Sequence, residues 1–216
     1  MHQALELHHH AHEKTLKRFF SPEHDKHMVK LQPGDVYVSS DDELIATGLG
    51  SCIAACIWDP LAQVGGMNHF MLPLKREEAE STWTPEQHLS RAARYGNYAM
   101  EILINSLLQQ GAMKNRLRVK LFGGGNIMGQ NIAIGRKNID FVRQYVINEQ
   151  LPLISEDLGL AFPRRVLFEP RTGKAWVKKI QSLSQKELVA EETQYNQRLL
   201  QESYNDGADE QDVELF

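Results

Sequence analysis

Short apolar segments of strand length alternate with turn-forming residues along most of the chain. Such runs, bounded by Gly, Pro, Asn or Asp, predict β-strands. We expect strands over residues 35–39, 44–47, 52–58, 64–72, 117–122, 151–155, 165–168 and 175–177. The segment 52–58 is almost wholly apolar, which favours a buried strand but also fits a buried helical turn. Residues 170–173 form a turn signal, so the last two strands are expected to pair as a hairpin.

Two segments have the periodicity of amphipathic helices. The first has Thr84 as its N-cap, Pro85 at its first position and a favourable charge at Glu86, and it ends at Gly111. Asn138 is expected to cap the second helix. The apolar positions are Tyr95, Ala99, Ile102, Leu103 and Leu107 in the first helix and Ile139, Val142, Val146 and Ile147 in the second. Strands and helices are mixed without a strict βαβ alternation.

Both ends of the chain differ in composition from the middle. Residues 1–28 are rich in His, Glu and Lys, which predicts a flexible tail, although the cluster His8, His9, His10 and His12 also suits opportunistic metal binding. We expect a folded domain over residues 29–182. Residues 183–216 are polar or acidic: 183–200 could form an amphipathic helix, for a partner or for this domain itself, and 202–214 are expected to be disordered.

Composition excludes several classes of function. A net charge of −4 argues against a nucleic-acid-binding surface, and no apolar run approaches the ~20 residues that cross a bilayer. The first residues lack the apolar core of a signal peptide, so a cytoplasmic protein is expected. Cys52 and Cys56 lie four positions apart, too far to bridge on one strand. Two thiols are also too few for a structural zinc site, so no metal is expected.

Cys52 is the first candidate for chemistry. It follows Gly48-Leu49-Gly50-Ser51 at the entry to an apolar segment. Glycines let the chain turn sharply and leave backbone N–H groups free to point at a developing oxyanion, so Gly50 and Ser51 are candidate members of such a turn. The alternative is that Cys52 is a small core residue, as free cysteines usually are.

A thiol nucleophile needs a base, because free cysteine has a pKa of about 8.5. Seven of the nine histidines lie within the first 27 residues, which leaves His69 and His88. His88 falls in the first turn of a predicted helix, where a surface role is the default. His69 lies in an apolar run, where a structural histidine is the alternative. If the segments of Cys52 and His69 pair as neighbouring strands, the two side chains can approach each other.

The glycine run Gly123-Gly124-Gly125 has two interpretations. It is either a tight turn after a buried strand or a place where substrate approaches the backbone. It lacks the Gly-Lys-Ser/Thr ending of a phosphate-binding loop. The turn Gly48-Leu49-Gly50 lacks the third glycine of a dinucleotide fingerprint.

Several ordered motifs resemble those of the CheD family of bacterial chemoreceptor glutamine deamidases. They are Thr47-Gly48-Leu49-Gly50-Ser51-Cys52-Ile53-Ala54-Ala55-Cys56, Asp59-Pro60, Gly66-Met67-Asn68-His69-Phe70-Met71-Leu72-Pro73, Lys120-Leu121-Phe122-Gly123-Gly124-Gly125, Ile134-Gly135-Arg136-Lys137-Asn138-Ile139 and Ser155-Glu156-Asp157-Leu158-Gly159. The resemblance covers roughly residues 30–180. Residues 157–165 lack the paired glycines often found in the family.

The resemblance implies a layered α/β sandwich with a mixed β-sheet and flanking helices, shared with bacterial toxin deamidases. It implies a hydrolase that deamidates glutamines of methyl-accepting chemotaxis receptors, with methylesterase activity in some members and no cofactor. Cys52 would be the nucleophile and His69 the base. The family's threonine position holds Ala46, and Thr47 follows it, so Thr47 or a backbone carbonyl would orient His69. Asn68 and Gly124 would lie near the substrate.

Two alternatives to a receptor deamidase remain. The same fold could bind a receptor, or a regulatory phosphatase of the CheC type, without catalysis. A cysteine hydrolase of small amides or esters is the more distant alternative. A helical receptor requires an open cleft, whereas a deep closed pocket would favour a small substrate.

Overall fold

The computed structural model describes residues 16–73, 91–127, 132–180 and 182–209. Their strands are β1 Lys17–Ser21, β2 Lys26–Lys30, β3 Val36–Ser39, β4 Glu43–Leu49, β5 Ile53–Asp59, β6 Val64–Asn68, β7 Arg118–Gly123, β8 Leu153–Leu158, β9 Arg164–Phe168 and β10 Ala175–Lys179. Their helices are α1 Arg91–Gln109, α2 Ile132–Asn148 and α3 Ser182–Asp209, with a 3-10 helix at Lys114–Arg116.

The strands form two mixed sheets. One has the order β1-β2-β4-β9-β10 and the other the order β3-β6-β5-β7-β8. Strands β2 and β4 are parallel, as are β7 and β8, and the other neighbours are antiparallel. The expected α/β sandwich with flanking helices is confirmed.

Strand β5 lies at the centre of the second sheet and is buried along its whole length. Helices α1 and α2 pack against this sheet, and the first sheet supplies the other part of one continuous core. The ring of Trp58 on β5 meets Phe168 on β9 edge to face, with 6.3 Å between ring centroids. Burial on both sides explains why the strand reads as a continuous apolar run. The interpretation of residues 52–58 as a buried strand is therefore confirmed for β5.

Regular secondary structure begins earlier in the chain than the sequence indicated. In the described part of the segment expected to be a tail, β1 and β2 form an antiparallel hairpin, and β2 continues the first sheet beside β4. The first four residues of β1 are exposed, so its sequence gives no apolar alternation. Strand β2 pairs with β4 through Met28 and Val29, and the local sequence pattern does not reveal this long-range pairing. The His8–His12 cluster lies outside the described residues.

Two helix predictions need correction. Asn138 does not cap α2, because the helix begins at Ile132 and Asn138 is buried within it. Residues 202–209, expected to be disordered, continue α3 as far as Asp209. The predicted hairpin of β9 and β10 is confirmed, as is the end of α1 before Gly111. The predicted cap at Thr84, Pro85 and Glu86, and His88, fall outside the described ranges.

None of the described helices combines the length and apolar content needed to span a membrane.

Candidate active site

Cys52 and His69 lie side by side at one end of the β5–β6 pair. Ile53 and Phe70 exchange two backbone hydrogen bonds of 2.9 Å, which extends the antiparallel register beyond β6. In this register His69 is a diagonal neighbour of Cys52 on the same face of the sheet. The Cys52 sulfur and a His69 ring nitrogen lie within 4.8 Å of each other. The expectation that these two segments pair as neighbouring strands is confirmed.

The hydrogen bonds of Thr47 set the tautomer of His69. The Thr47 hydroxyl lies 3.1 Å from the Leu31 carbonyl oxygen and 2.8 Å from His69 Nδ1. A carbonyl only accepts, so the hydroxyl donates to Leu31 and accepts from Nδ1–H. Among the described groups, His69 Nε2 is buried without a hydrogen-bond partner. The arrangement leaves Nε2 with its lone pair free to accept a proton.

Burial keeps both members of the pair neutral in this conformation. Cys52 is fully buried and His69 is 1 % exposed. Burial lowers the pKa of His69 to about 3, so the imidazole is uncharged at neutral pH. Burial, followed by the charge and hydrogen bond of Glu192, raises the pKa of the Cys52 thiol well above its ordinary value. The thiolate–imidazolium pair is therefore disfavoured in this conformation.

Four donors around Cys52 converge on one carboxylate, that of Glu192 on α3. Its Oε1 accepts from the N–H groups of Gly50 at 2.7 Å and Cys52 at 3.2 Å. Its Oε2 accepts from the N–H and the hydroxyl of Ser51, both at 2.8 Å. Donors aimed at one negatively charged oxygen pair are the arrangement that stabilises an oxyanion. The structure thus brings Gly50 and Ser51 together with Cys52, Thr47 and His69.

The glycine run after β7 holds the Cys52 turn from behind. Gly124 N–H donates to the Cys52 carbonyl at 2.8 Å, and Gly125 N–H donates to the Gly50 carbonyl at 2.6 Å. Gly123 has φ +112°, and a Cβ there would lie 2.0 Å from the Cys52 oxygen. A Cβ on Gly124 would meet Ile139 of α2 at 2.4 Å. Of the two interpretations of this run, the geometry favours the tight turn, with Gly124 buried against α2.

Asn68, expected near the substrate, hydrogen-bonds to backbone groups of two other elements. Its Oδ1 accepts from the Ala55 N–H at 2.9 Å, and its Nδ2 donates to the Ala99 carbonyl at 3.0 Å. The side chain therefore ties β5 and β6 to α1. As Asn68 and His69 are consecutive on an extended chain, their side chains point to opposite faces.

Sequence reasoning missed two residues of the site. Asn138 accepts from the Leu72 N–H at 2.9 Å and donates to the Ser51 carbonyl at 2.8 Å, so it fastens both segments that carry the Cys–His pair. Glu192 is 2 % exposed. The sequence could have indicated Glu192 by its spacing. It falls between Leu188 and Tyr195 on the apolar face of a helix, where a charged residue is unusual unless it has a buried partner.

Cys52, His69 and Glu192 also form a group of potential metal ligands. The Glu192 carboxylate already accepts four hydrogen bonds, which occupy its lone pairs. A metal would have to displace these donors from Glu192. The residues present therefore fit an oxyanion site better than a metal centre.

A cavity of about 540 Å³ leads to the Thr47 and His69 side of the site. It lies between the first sheet and the first turns of α3 that have described side chains. Leu31, Thr47, His69, Leu188 and Glu191 are among its lining residues. Cys52, which is fully buried, is not among them.

Known proteins resemble this chain over nearly its whole length. The family model described as CheD chemotactic sensory transduction matches residues 71–179. A Vibrio vulnificus (strain CMCP6) protein named "Probable chemoreceptor glutamine deamidase CheD" is 49 % identical over 97 % of this chain and 98 % of its own. Proteins of the same name from Vibrio cholerae serotype O1 (strain M66-2) and Saccharophagus degradans are 47 % and 48 % identical, covering 92 % and 82 % of this chain and 83 % and 82 % of their own. This chain belongs to the CheD family.

Proposed function

We propose that this protein deamidates glutamine side chains of methyl-accepting chemotaxis receptors to glutamate, with Cys52 as nucleophile and His69 as base. One observation carries the assignment of the site: a thiol and a proton-accepting imidazole lie beside a cluster of donors that holds a carboxylate. A carboxylate is the product of the proposed reaction. The relatives named as chemoreceptor glutamine deamidases support the choice of substrate.

In the first half of the reaction, His69 Nε2 takes the Cys52 proton and the thiolate attacks the amide carbon of glutamine. The amide oxygen becomes an oxyanion, which accepts from the N–H groups of Gly50, Ser51 and Cys52. Each such donor contributes about 3 kcal/mol to transition-state stabilisation in a preorganised site. The protonated His69 then gives its proton to the departing nitrogen, and ammonia leaves a thioester on Cys52.

In the second half, His69 takes a proton from water, and the resulting hydroxide attacks the thioester carbon. The same N–H groups hold the second oxyanion. The carbon–sulfur bond breaks, Cys52 recovers a proton from His69, and glutamate is released. Thr47 keeps the proton on Nδ1 throughout, so Nε2 is always the nitrogen that exchanges protons with the reacting groups. The scheme requires no cofactor, and a methyl ester in place of the amide would follow the same steps.

The shape of the site favours a protein substrate over a small amide. Helix α3 packs over the Cys52 turn and places Glu192 against its donors, so the surface at this turn accepts a helix. The cytoplasmic helices of a receptor have this form. A CheC-type phosphatase that offers a helix is a second partner that the same surface would suit. The protein would then act in the cytoplasm, where these parts of the receptor lie.

The test is to incubate the protein with cytoplasmic receptor fragments and to map glutamine-to-glutamate conversion by mass spectrometry. We expect conversion at a small set of glutamines and none in a matched incubation without protein. Receptor binding without conversion of any glutamine would favour the alternative of a protein that binds receptors without catalysis. Ammonia release from free glutamine or small amides, with none from receptor fragments, would favour the small-molecule hydrolase.

A further inference from the structure

Helix α3 covers the active site with one narrow face. Of its described side chains, only those of Leu188, Glu192, Tyr195 and Leu199 are buried. These positions recur at the spacing of a single helical stripe, and Glu192 is its one charged member. The rest of the described side chains of α3 are partly or fully exposed. The buried contact of α3 with the domain is therefore one stripe of apolar side chains with the Glu192 carboxylate among them.

The Glu192 carboxylate occupies the position where the proposed mechanism places the reacting group. Its two oxygens accept from Gly50, Ser51 and Cys52, the groups that would hold the oxyanion. The Cys52 sulfur also lies within 4.8 Å of a Glu192 carboxylate oxygen. A Cβ on Gly50 would lie 2.6 Å from Glu192 Oε2, so the carboxylate would have to shift if any other residue stood there. A glutamate side chain projecting from a helix into this cluster has the chemistry of a bound product.

We propose that α3 is an intramolecular product mimic, so that the site binds its substrate as an α-helix that inserts a glutamine side chain where Glu192 now lies. This inference rests on the proposed function and names the form in which the substrate is bound. Substrate and α3 compete for the surface at the Cys52 turn, and α3 must leave before a receptor helix can bind there.

The contacts of α3 indicate which residues a substrate helix carries around its glutamine. Leu188, four positions before Glu192, packs over Gly48, where a Cβ would lie 3.2 Å from Leu188 Cδ1. Tyr195, three positions after, covers Gly34 and hydrogen-bonds to the Tyr95 hydroxyl. Leu199, seven positions after, is buried in the same core. A substrate helix is therefore expected to place large apolar side chains at positions −4, +3 and +7 from the target glutamine.

The same contacts make the protein self-inhibited. With α3 in place the thiol is sealed from solvent, and the negative charge of Glu192 opposes formation of a second negative charge on Cys52. Once α3 departs, the donors of the Cys52 turn become available to the incoming amide.

The direct test converts the mimic into a substrate. In the full-length Glu192→Gln variant, the introduced amide is held against Cys52 and should be deamidated back to glutamate, at a rate independent of protein concentration because the reaction is intramolecular. Peptide mapping by mass spectrometry detects the change. The double variant Cys52→Ala, Glu192→Gln should retain the introduced glutamine. Glu191→Gln is the matched control, because residue 191 is exposed on the same helix and a glutamine there should persist.

A receptor assay run in parallel separates the two proposals. The glutamine of the Glu192→Gln variant could persist while the protein deamidates receptor fragments. The proposal that α3 is a product mimic would then be wrong, and the proposed function would stand. If neither this glutamine nor receptor glutamines are converted, both fail. Equally ready conversion of the glutamine in the Glu191→Gln variant would also overturn the mimic, because it would show that no particular position on α3 enters the site.

A second measurement does not depend on turnover. Alkylation of Cys52 by a small thiol reagent should be roughly tenfold or more faster in Glu192→Ala than in the wild-type chain, because the variant loses charge-assisted hydrogen bonds that hold α3 in place. Cys56, buried within β5, is the internal control and should remain unreactive in both. Equal Cys52 labelling in the two proteins would show that α3 does not guard the thiol.

Discussion

At the scale of single residues, the two nitrogens of His69 have separate tasks. Nδ1–H donates to the Thr47 hydroxyl, and this hydroxyl donates in turn to the Leu31 carbonyl. Nε2 remains without a partner among the described groups and is the atom available to the thiol. Fixing one nitrogen in this way sets the tautomer and the ring orientation that a general base needs.

We propose that Thr47 is a positioning residue that acts through its hydroxyl. We expect Thr47→Val to lower the rate constant for deamidation roughly 10- to 100-fold, because Nδ1–H loses its acceptor and the tautomer is no longer fixed. Thr47→Ser keeps the hydroxyl and should restore most of the rate. Steady-state kinetics on a receptor fragment measure both. A serine variant as slow as the valine variant would contradict this role.

The burial of His69 also predicts how stability depends on pH. Its pKa is about 3 in the folded protein and 6.5 in the ordinary, solvated state. Between these values the unfolded chain binds the extra proton, so the free energy of unfolding falls as pH decreases below about 6.5. Between pH 6.5 and pH 5 this group should cost about 1.5 kcal/mol, and His69→Asn should remove that part of the slope.

Urea denaturation of the wild-type chain and of His69→Asn at a series of pH values measures the difference. Parallel curves from pH 6.5 to pH 5 would show that His69 is already charged, or is solvated, in the folded protein.

The residue types of the Cys–His pair could be selected from the sequence because few candidates existed. Seven histidines lie near the N-terminus, and the glycine turn marks Cys52 over Cys56. The place of Asn68 could not be predicted from the sequence, since its partners Ala55 and Ala99 are set by how α1 packs on the sheet. Ionisable and amide side chains are thus predictable as candidates, while their partners depend on tertiary packing.

At the scale of elements, the Cys52 turn is held by the end of β7 and by the middle of α2. Backbone N–H groups of Gly124 and Gly125 fasten its carbonyls from one side, and the Asn138 side chain fastens the Ser51 carbonyl. Fixing the carbonyls fixes the peptide planes, so the N–H groups of the turn point in one direction. The glycines that end β7 and follow it therefore act on the orientation of the donors.

Gly123 and Gly111 form a matched pair that separates backbone strain from steric overlap. Both have positive φ, +112° and +93°, but a Cβ on Gly111 meets nothing within 4 Å. We expect Gly111→Ala to cost about 1–2 kcal/mol of stability with activity retained. Gly123→Ala should cost about 2–5 kcal/mol, since overlap with the Cys52 oxygen adds to the strain, and it should abolish deamidation.

Thermal unfolding and the receptor assay on both variants give the comparison. If Gly123→Ala remains as stable and as active as Gly111→Ala, the turn does not depend on this close approach.

Most strands could be predicted from their own sequence, because β5, β7 and the β9–β10 hairpin are apolar segments bounded by turns. The elements that were missed take their stability from elsewhere. The hairpin of β1 and β2 is charged on its outer strand and gains its partner only when β2 meets β4. The end of α3 near Asp209 likewise has no apolar pattern that could have predicted it.

At the scale of the whole molecule, the site joins distant parts of the chain. The Cys52 turn lies 140 positions from Glu192 and 87 positions separate Ser51 from Asn138. The order of strands in the two sheets and the docking of α3 decide these contacts, and no local pattern encodes either. The pair of Cys52 and His69 was accessible to sequence reasoning because one turn connects β5 and β6.

The most direct test of Cys52 as the nucleophile compares the rates of receptor deamidation by Cys52→Ala and Cys56→Ala. Both substitutions remove a buried thiol from the same region of the second sheet, and only Cys52 adjoins His69 and the donor cluster. We predict that Cys56→Ala converts receptor glutamines at nearly the wild-type rate and that Cys52→Ala converts none. Glutamate formation by Cys52→Ala at the rate of Cys56→Ala would contradict the assignment of Cys52 as the nucleophile.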